Sequence, residues 1–182
     1  MSGNFKSKIL DHNFQLSCSK YVPVSETLIP TGELKSVVDT PFAFIQPKPF
    51  REGVLAISGG GAQGIDHCYV VDAALREDGS YIYDAAQQKQ NKQAFLRHIA
   101  TLSDPVSGRS MTVYGTQPGV QVYTCNFLSQ NAEDAPYIQH NAVCLETQHL
   151  PDSPNHAHFP STVLRPTDEP YFHQTVHVFS TL

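Results

Sequence analysis

No apolar run in the chain approaches the ~20 residues needed to cross a bilayer, which excludes a helical membrane span. No basic cluster occurs either: 12 Lys and Arg face 17 Asp and Glu, a formal net charge of −5. Phosphate backbones demand a Lys/Arg-rich face, so nucleic acid is excluded as a partner. Met1 to Lys8 lack the apolar core of a secretory signal, and a cytoplasmic location is expected. The four cysteines, Cys18, Cys68, Cys125 and Cys144, lie far apart without metal-type spacing, and buried reduced thiols are expected. The glycine-rich stretch from Gly59 to Gly64 leads into an aspartate and a strand, not into Lys-Ser/Thr and a helix, so it is no phosphate loop.

What is present reads as one domain. The 182 residues are 40% hydrophobic and 16% charged, ordinary globular composition with enough chain for a real core. The periodicity is that of strands, in short runs at Ile9 to Leu16, His67 to Val71, Phe95 to Leu102, Met111 to Tyr114, Val120 to Tyr123, Val143 to Leu145 and Val176 to Phe179. Turn chemistry separates them at Pro30-Thr31-Gly32, Gly59 to Gly61, Glu77-Asp78-Gly79, Ser107-Gly108 and Pro118-Gly119. Thirteen prolines leave few windows for a stable helix. An all-β sandwich or barrel follows. The all-polar run Gln87 to Gln93, after Tyr81-Ile82-Tyr83, reads as a solvated hairpin connection, and neither an internal repeat nor a domain boundary is visible.

Three places can carry chemistry. Glu146, in Cys144-Leu145-Glu146-Thr147-Gln148, follows an apolar strand run and precedes a polar, proline-rich loop. A partly desolvated carboxylate at such a strand end exchanges protons near neutral pH, whereas a surface glutamate there does nothing. Asp66 opens a strand after the glycine-rich loop and either accepts hydrogen bonds from ligand hydroxyls or caps the loop. Gln121, just inside the strand after Gln117-Pro118-Gly119, offers an amide donor and acceptor that suit sugar hydroxyls, or is structural. His149, His156 and His158 crowd near Asp152, but their spacing matches no zinc pattern, and no metal is expected.

Taken in series, the motifs resemble those of the aldose 1-epimerase (galactose mutarotase) family. They run from Asp11-His12 through Tyr21-Val22-Pro23-Val24 with Leu28-Ile29-Pro30-Thr31-Gly32, Thr40-Pro41-Phe42-Ala43-Phe44, Gly64-Ile65-Asp66-His67 and Asp104-Pro105-Val106-Ser107-Gly108-Arg109. Thr116-Gln117-Pro118-Gly119-Val120-Gln121-Val122-Tyr123-Thr124-Cys125-Asn126-Phe127, Cys144 to Gln148, Pro151-Asp152-Ser153-Pro154-Asn155, Phe159-Pro160-Ser161 and Leu164-Arg165-Pro166 complete the series. The resemblance implies a large antiparallel β-sandwich with a sugar cleft, no cofactor, and interconversion of the α and β anomers of free hexoses such as galactose and glucose. By similarity Glu146 is the base that takes the proton from the C1 hydroxyl, Asp66 and Gln121 bind sugar hydroxyls, and a histidine acid protonates the ring oxygen. Two groups of opposite protonation state across one sugar are what such chemistry needs.

The chain departs from the family pattern at Ala43, where aspartate is frequent, at Cys125, where glycine is usual, and at His149-Leu150, in place of Asn-Trp. Length is the larger departure, because family members are roughly twice as long. Residues 1–182 are therefore expected to form the C-terminal portion of one sandwich. Met1-Ser2-Gly3-Asn4 resembles the tail of the stretch carrying the acid histidine, and the resemblance gives His12, His67 and His98 no such role. A missing N-terminal half on a second polypeptide, or self-association through exposed sheet edges, is the expected partnership. Two alternatives stand beside the enzyme: a non-catalytic sugar-binding fragment, and a hexose 6-phosphate 1-epimerase relative. The latter expects phosphate-binding arginines, and only Arg51, Arg76, Arg97, Arg109 and Arg165 are present.

Overall fold

The computed structural model describes residues 7–59, 62–72, 96–134, 137–168 and 170–182. The turn at Glu77 to Gly79, the Tyr81 to Tyr83 run, the polar run Gln87 to Gln93 and Phe95 lie outside the described residues.

Two five-stranded antiparallel sheets carry the fold. In the first, β12 (Thr175–Thr181), β9 (Arg109–Gly115), β8 (Arg97–Ser103), β1 (Asn13–Leu16) and β4 (Lys48–Pro49) lie side by side in that order. In the second the order is β11 (Cys144–Gln148), β10 (Gly119–Tyr123), β7 (Asp66–Val70), β2 (Lys20–Val22) and β3 (Lys35–Ser36). A small hairpin of β5 (Ser58–Gly59) and β6 (Ala62–Gln63) spans the glycine-rich turn, and α1 (Arg51–Val54) is a single turn. The antiparallel all-β architecture expected from the short strand runs is present. One run divides, however. Ile9–Asp11 closes into a 3-10 turn through a bond from His12 N–H to Ile9 O, 2.9 Å, and the strand starts only at Asn13.

Alternation along each strand builds the core between the sheets. Register pairs Phe14 with Leu102 and Leu102 with Met111, then Leu16 with Ala100 and Ala100 with Val113, so these side chains share the inner face of the first sheet. A bulge between His98 and Ala100 lets Ile99 and Ala100 both turn inward. The second sheet answers with Tyr21, His67, Tyr69, Val120 and Val122, all buried. Phe14 stacks on Phe50 at 4.3 Å and meets Phe44 edge-on at 5.4 Å, a compact aromatic centre under β1.

His67 is a polar member of this inner face, with Phe42 and Tyr21 rings 4.6 and 5.9 Å away. Burial pushes its imidazole down to about 4, while Asp66 pulls weakly upward. The Asp66 backbone N–H points at Nδ1, 3.3 Å away, which suits the neutral ring. The unfolded chain protonates this side chain near 6.5, so between 6.5 and about 4 the native state binds fewer protons than the unfolded one. This contribution is full above pH 6.5 and is lost as pH falls toward 4. Urea unfolding at pH 7.5 and pH 5 is expected to show His67→Phe losing about 2 kcal/mol less stability than the wild type on acidification. Equal losses would contradict the assignment.

Both sheets end at one side in edge strands, β12 and β11, and the Thr147 and Thr175 hydroxyls meet there at 2.6 Å. The edge is apolar in part: Phe179 is 73% and Val178 46% exposed, and no strand among the described residues pairs with the outer edge of β12.

Candidate active site

The outer face of the second sheet carries the three candidate residues Asp66, Gln121 and Glu146. β10 sits between β7 and β11, with Tyr123 opposite Asp66 and Cys144, Gln121 opposite Cys68 and Glu146, and Gly119 opposite Val70 and Gln148. Residues two apart share a face, so burying Val120 and Val122 inward forces Gln121 and Tyr123 outward. The same alternation turns out Asp66 and Cys68 on β7, and Glu146 and Gln148 on β11. Asp66, Cys68, Gln121, Tyr123, Glu146 and Gln148 thereby border one cavity of about 460 Å³.

The cavity walls come from loops whose turns are tied by hydrogen bonds. Val24 bridges Pro30, Ser25 N–H donates to Ile29 O at 2.8 Å, and Leu28 N–H donates to Ser25 O at 2.9 Å. This places Val24, Leu28 and Pro30 along one rim, while Phe127 and Pro151 contribute elsewhere. Beneath the rim, Val22, Cys68, Val70, Leu150 and Phe159 form a small apolar cluster that seats the 150–159 segment on the sheet.

The end of β7 is fixed by buried hydrogen bonds. Thr124 Oγ1 accepts from Ile65 N–H at 2.9 Å, and Asn126 Nδ2 donates to Ile65 O at the same distance. Asp66 is the next residue. Its Oδ1 accepts from Gln121 Nε2 at 2.7 Å, a charge-assisted bond that orients the amide. Both side chains are half-buried. The Gln121 carbonyl and the second Asp66 oxygen are groups able to accept hydrogen bonds from hydroxyls.

Glu146 lies on the strand beside this pair, but not at a strand end. It is the third of five residues in β11, paired with Gln121, and it is exposed rather than partly desolvated. The polar residues Thr147 and Gln148 gave no strand signal, yet they continue the ladder against Val120 and Gly119. The three sequence-derived candidates, Asp66, Gln121 and Glu146, thus converge on one face. Cys68, Tyr123, Phe127 and Gln148 were not foreseen. The period-2 step from Asp66, Gln121 and Glu146 was a signal available for three of them.

Among the described residues no histidine lines this cavity. His67 faces inward, and His98 lies between Ser17 Oγ and Thr101 Oγ1 at 2.7 and 2.8 Å. His140 is held on Thr124 O at 2.9 Å, and His12 is buried near Asp104. His158 contacts Gly32 O at 2.8 Å and His156 faces Asp152 at 3.3 Å; among the described residues no group of three ligands is arranged for a metal. The cysteines are free, with Cys18, Cys68 and Cys125 buried and Cys144 half-buried. Cys125 takes φ 52°, a left-handed conformation that favours glycine, and Leu150 packs under the cavity. Among the described residues no helix is long and apolar enough to cross a membrane.

Fold and site together describe an antiparallel two-sheet protein whose polar cluster sits on an outer sheet face, walled by loops. The family model for aldose 1-epimerase matches residues 1–177, and the chain belongs to that family. It is 38% identical over 183 residues to galactose mutarotase from Mus musculus, covering 99% of this chain and 47% of that protein. With aldose 1-epimerase from Escherichia coli it shares 31% identity over 169 residues, covering 90% of this chain and 44% of the relative. The chain therefore spans about half the length of the curated relatives it matches. An aldose epimerase homologue from C. elegans superposes with a TM-score of 0.71 at 22% identity, covering 99% of this chain and 48% of that one. Galactose 1-epimerase from Lactobacillus acidophilus gives 0.64 at 20%, covering 96% and 45%. These two likenesses concern the fold.

Proposed function

We propose that this chain carries the sugar-binding face and the general base of an aldose 1-epimerase acting on free hexoses such as galactose and glucose. The observation that carries the reading is the joint placement of Glu146 beside the hydrogen-bonded Asp66–Gln121 pair over one cavity. Asp66 and Gln121 hold ring hydroxyls. Glu146 takes the proton from the C1 hydroxyl as an acid protonates the ring oxygen, and the C1–ring oxygen bond breaks to give the open-chain aldehyde. Rotation about C1–C2 and reclosure on the other face of the carbonyl give the opposite anomer, with both protons returned. No redox change occurs, and no cofactor is required.

The acid comes from outside these residues, since no histidine lines the cavity among the described residues. We assign it to the remainder of a longer protein or to a second polypeptide that docks along the β11/β12 edge, where Val178 and Phe179 are exposed. The same observation favours a second reading, in which the isolated chain binds sugar without turning it over. A sugar phosphate is disfavoured, because no arginine lines the cavity among the described residues. A cytoplasmic location agrees with this free-sugar chemistry. Polarimetric decay of freshly dissolved α-D-galactose, with the chain alone and with an added N-terminal half, tests the reading beside Glu146→Gln. Acceleration that the variant loses supports it; acceleration that the variant keeps overturns Glu146 as the base.

A further inference from the structure

Gln148 belongs to the same outward face as Glu146, two residues further along β11. Its side chain hydrogen-bonds to the Cys68 thiol on β7, with β10 between the two strands. Gly119 lies opposite Gln148, and a Cβ there would stand 3.0 Å from both Cys68 Sγ and Leu150 Cδ2. The Cys68 S–H is directed at Tyr69 O, 3.7 Å away, so the sulfur meets Gln148 as an acceptor. The amide therefore turns one N–H toward Cys68, which leaves its carbonyl oxygen and its second N–H for the cavity. Gln148 also borders an adjoining cavity of about 340 Å³.

We propose that Gln148 is a sugar-binding, specificity-setting residue whose side-chain carbonyl accepts a hydrogen bond from one ring hydroxyl remote from C1. The inference rests on the reading of the main cavity as a hexose site. Two residues of strand rise separate Gln148 from Glu146 by about 7 Å, a span suited to opposite sides of a pyranose ring. Cys68 acts as a positioning residue, holding the amide by one N–H so that the carbonyl is turned to the cavity. A site built to pair with a substrate hydroxyl rejects the analogue that lacks it, because the buried partner is then left unpaired.

The test is calorimetric titration of the full chain with D-galactose and with galactoses deoxygenated singly at C2, C3, C4 and C6. Gln148→Leu is expected to weaken galactose about tenfold, the scale of one hydrogen bond. One of the four deoxy sugars is expected to bind the wild type and the variant alike. Gln148→Met, which keeps the length of the side chain, should behave as Gln148→Leu does and guards against misfolding of one variant. Cys68→Ala, which removes the acceptor for the amide N–H, is expected to weaken galactose, and Cys68→Ser, which keeps an acceptor there, is expected to restore affinity relative to Cys68→Ala. Unchanged galactose affinity in both Gln148 variants overturns the inference, as does the same loss for all four deoxy sugars. Failure of the wild type to bind galactose at all would instead overturn the hexose-site reading, and this inference with it.

Discussion

Glu146→Gln is expected to lower the mutarotation rate of any galactose-converting preparation of this chain by on the order of 10³-fold. Glutamine matches glutamate in shape and can still accept a hydrogen bond from the C1 hydroxyl, but it cannot take the proton. The loss should therefore fall on kcat, with KM changed only a few-fold. The local structure makes the substitution clean. Glu146 is exposed on an edge strand, and its backbone ladder with Gln121 does not involve the carboxylate. Polarimetry of α-D-galactose at several concentrations separates the two parameters. An equal rate in the variant would remove Glu146 from the chemistry, and a large rise in KM alone would recast it as a binding group.

Gly64→Ala is expected to destabilise the chain by about 3 kcal/mol or more, and to abolish sugar binding where the chain still folds. Gly64 adopts φ 132°, a conformation that side chains rarely take, and an added Cβ would overlap Asn126 Oδ1 and come within 2.7 Å of Thr124 Oγ1. Those two atoms belong to the buried bonds that hold Ile65, and Asp66 follows directly. The substitution thus combines backbone strain with the loss of buried hydrogen bonds, each worth about 1–3 kcal/mol. A urea midpoint within error of the wild type would contradict this account of how Asp66 is placed.

The strands that build the site were legible as short apolar, β-branched or aromatic runs. Val120 to Tyr123 falls in β10, Met111 to Tyr114 in β9, and His67 to Val71 overlaps β7, which is buried at four of its five residues. The two-residue strands β3, β4, β5 and β6 were not legible, since two residues carry no period. The strand extent around Glu146 was misjudged for a related reason. An edge strand needs less apolar character, and the polar residues Thr147 and Gln148 are held by ladder pairing that local sequence does not reveal. Asp66, Gln121 and Glu146 could each be named from sequence, but their convergence depends on register among segments far apart in the chain. The crowding that a Cβ at Gly119 would meet from Cys68 and Leu150 is likewise a property of packing.

On the proposed reading, the face shared by Asp66, Gln121 and Glu146 binds a free hexose. Saturation-transfer NMR of D-galactose with this chain, wild type beside Asp66→Ala, tests it most directly. Removing Asp66 deletes one hydroxyl partner and releases the Gln121 amide it orients, without touching the inner face of the sheet. The account predicts saturable galactose binding by the wild type and affinity at least about tenfold weaker in Asp66→Ala. No binding by the folded wild type, or equal binding by the two proteins, would contradict it.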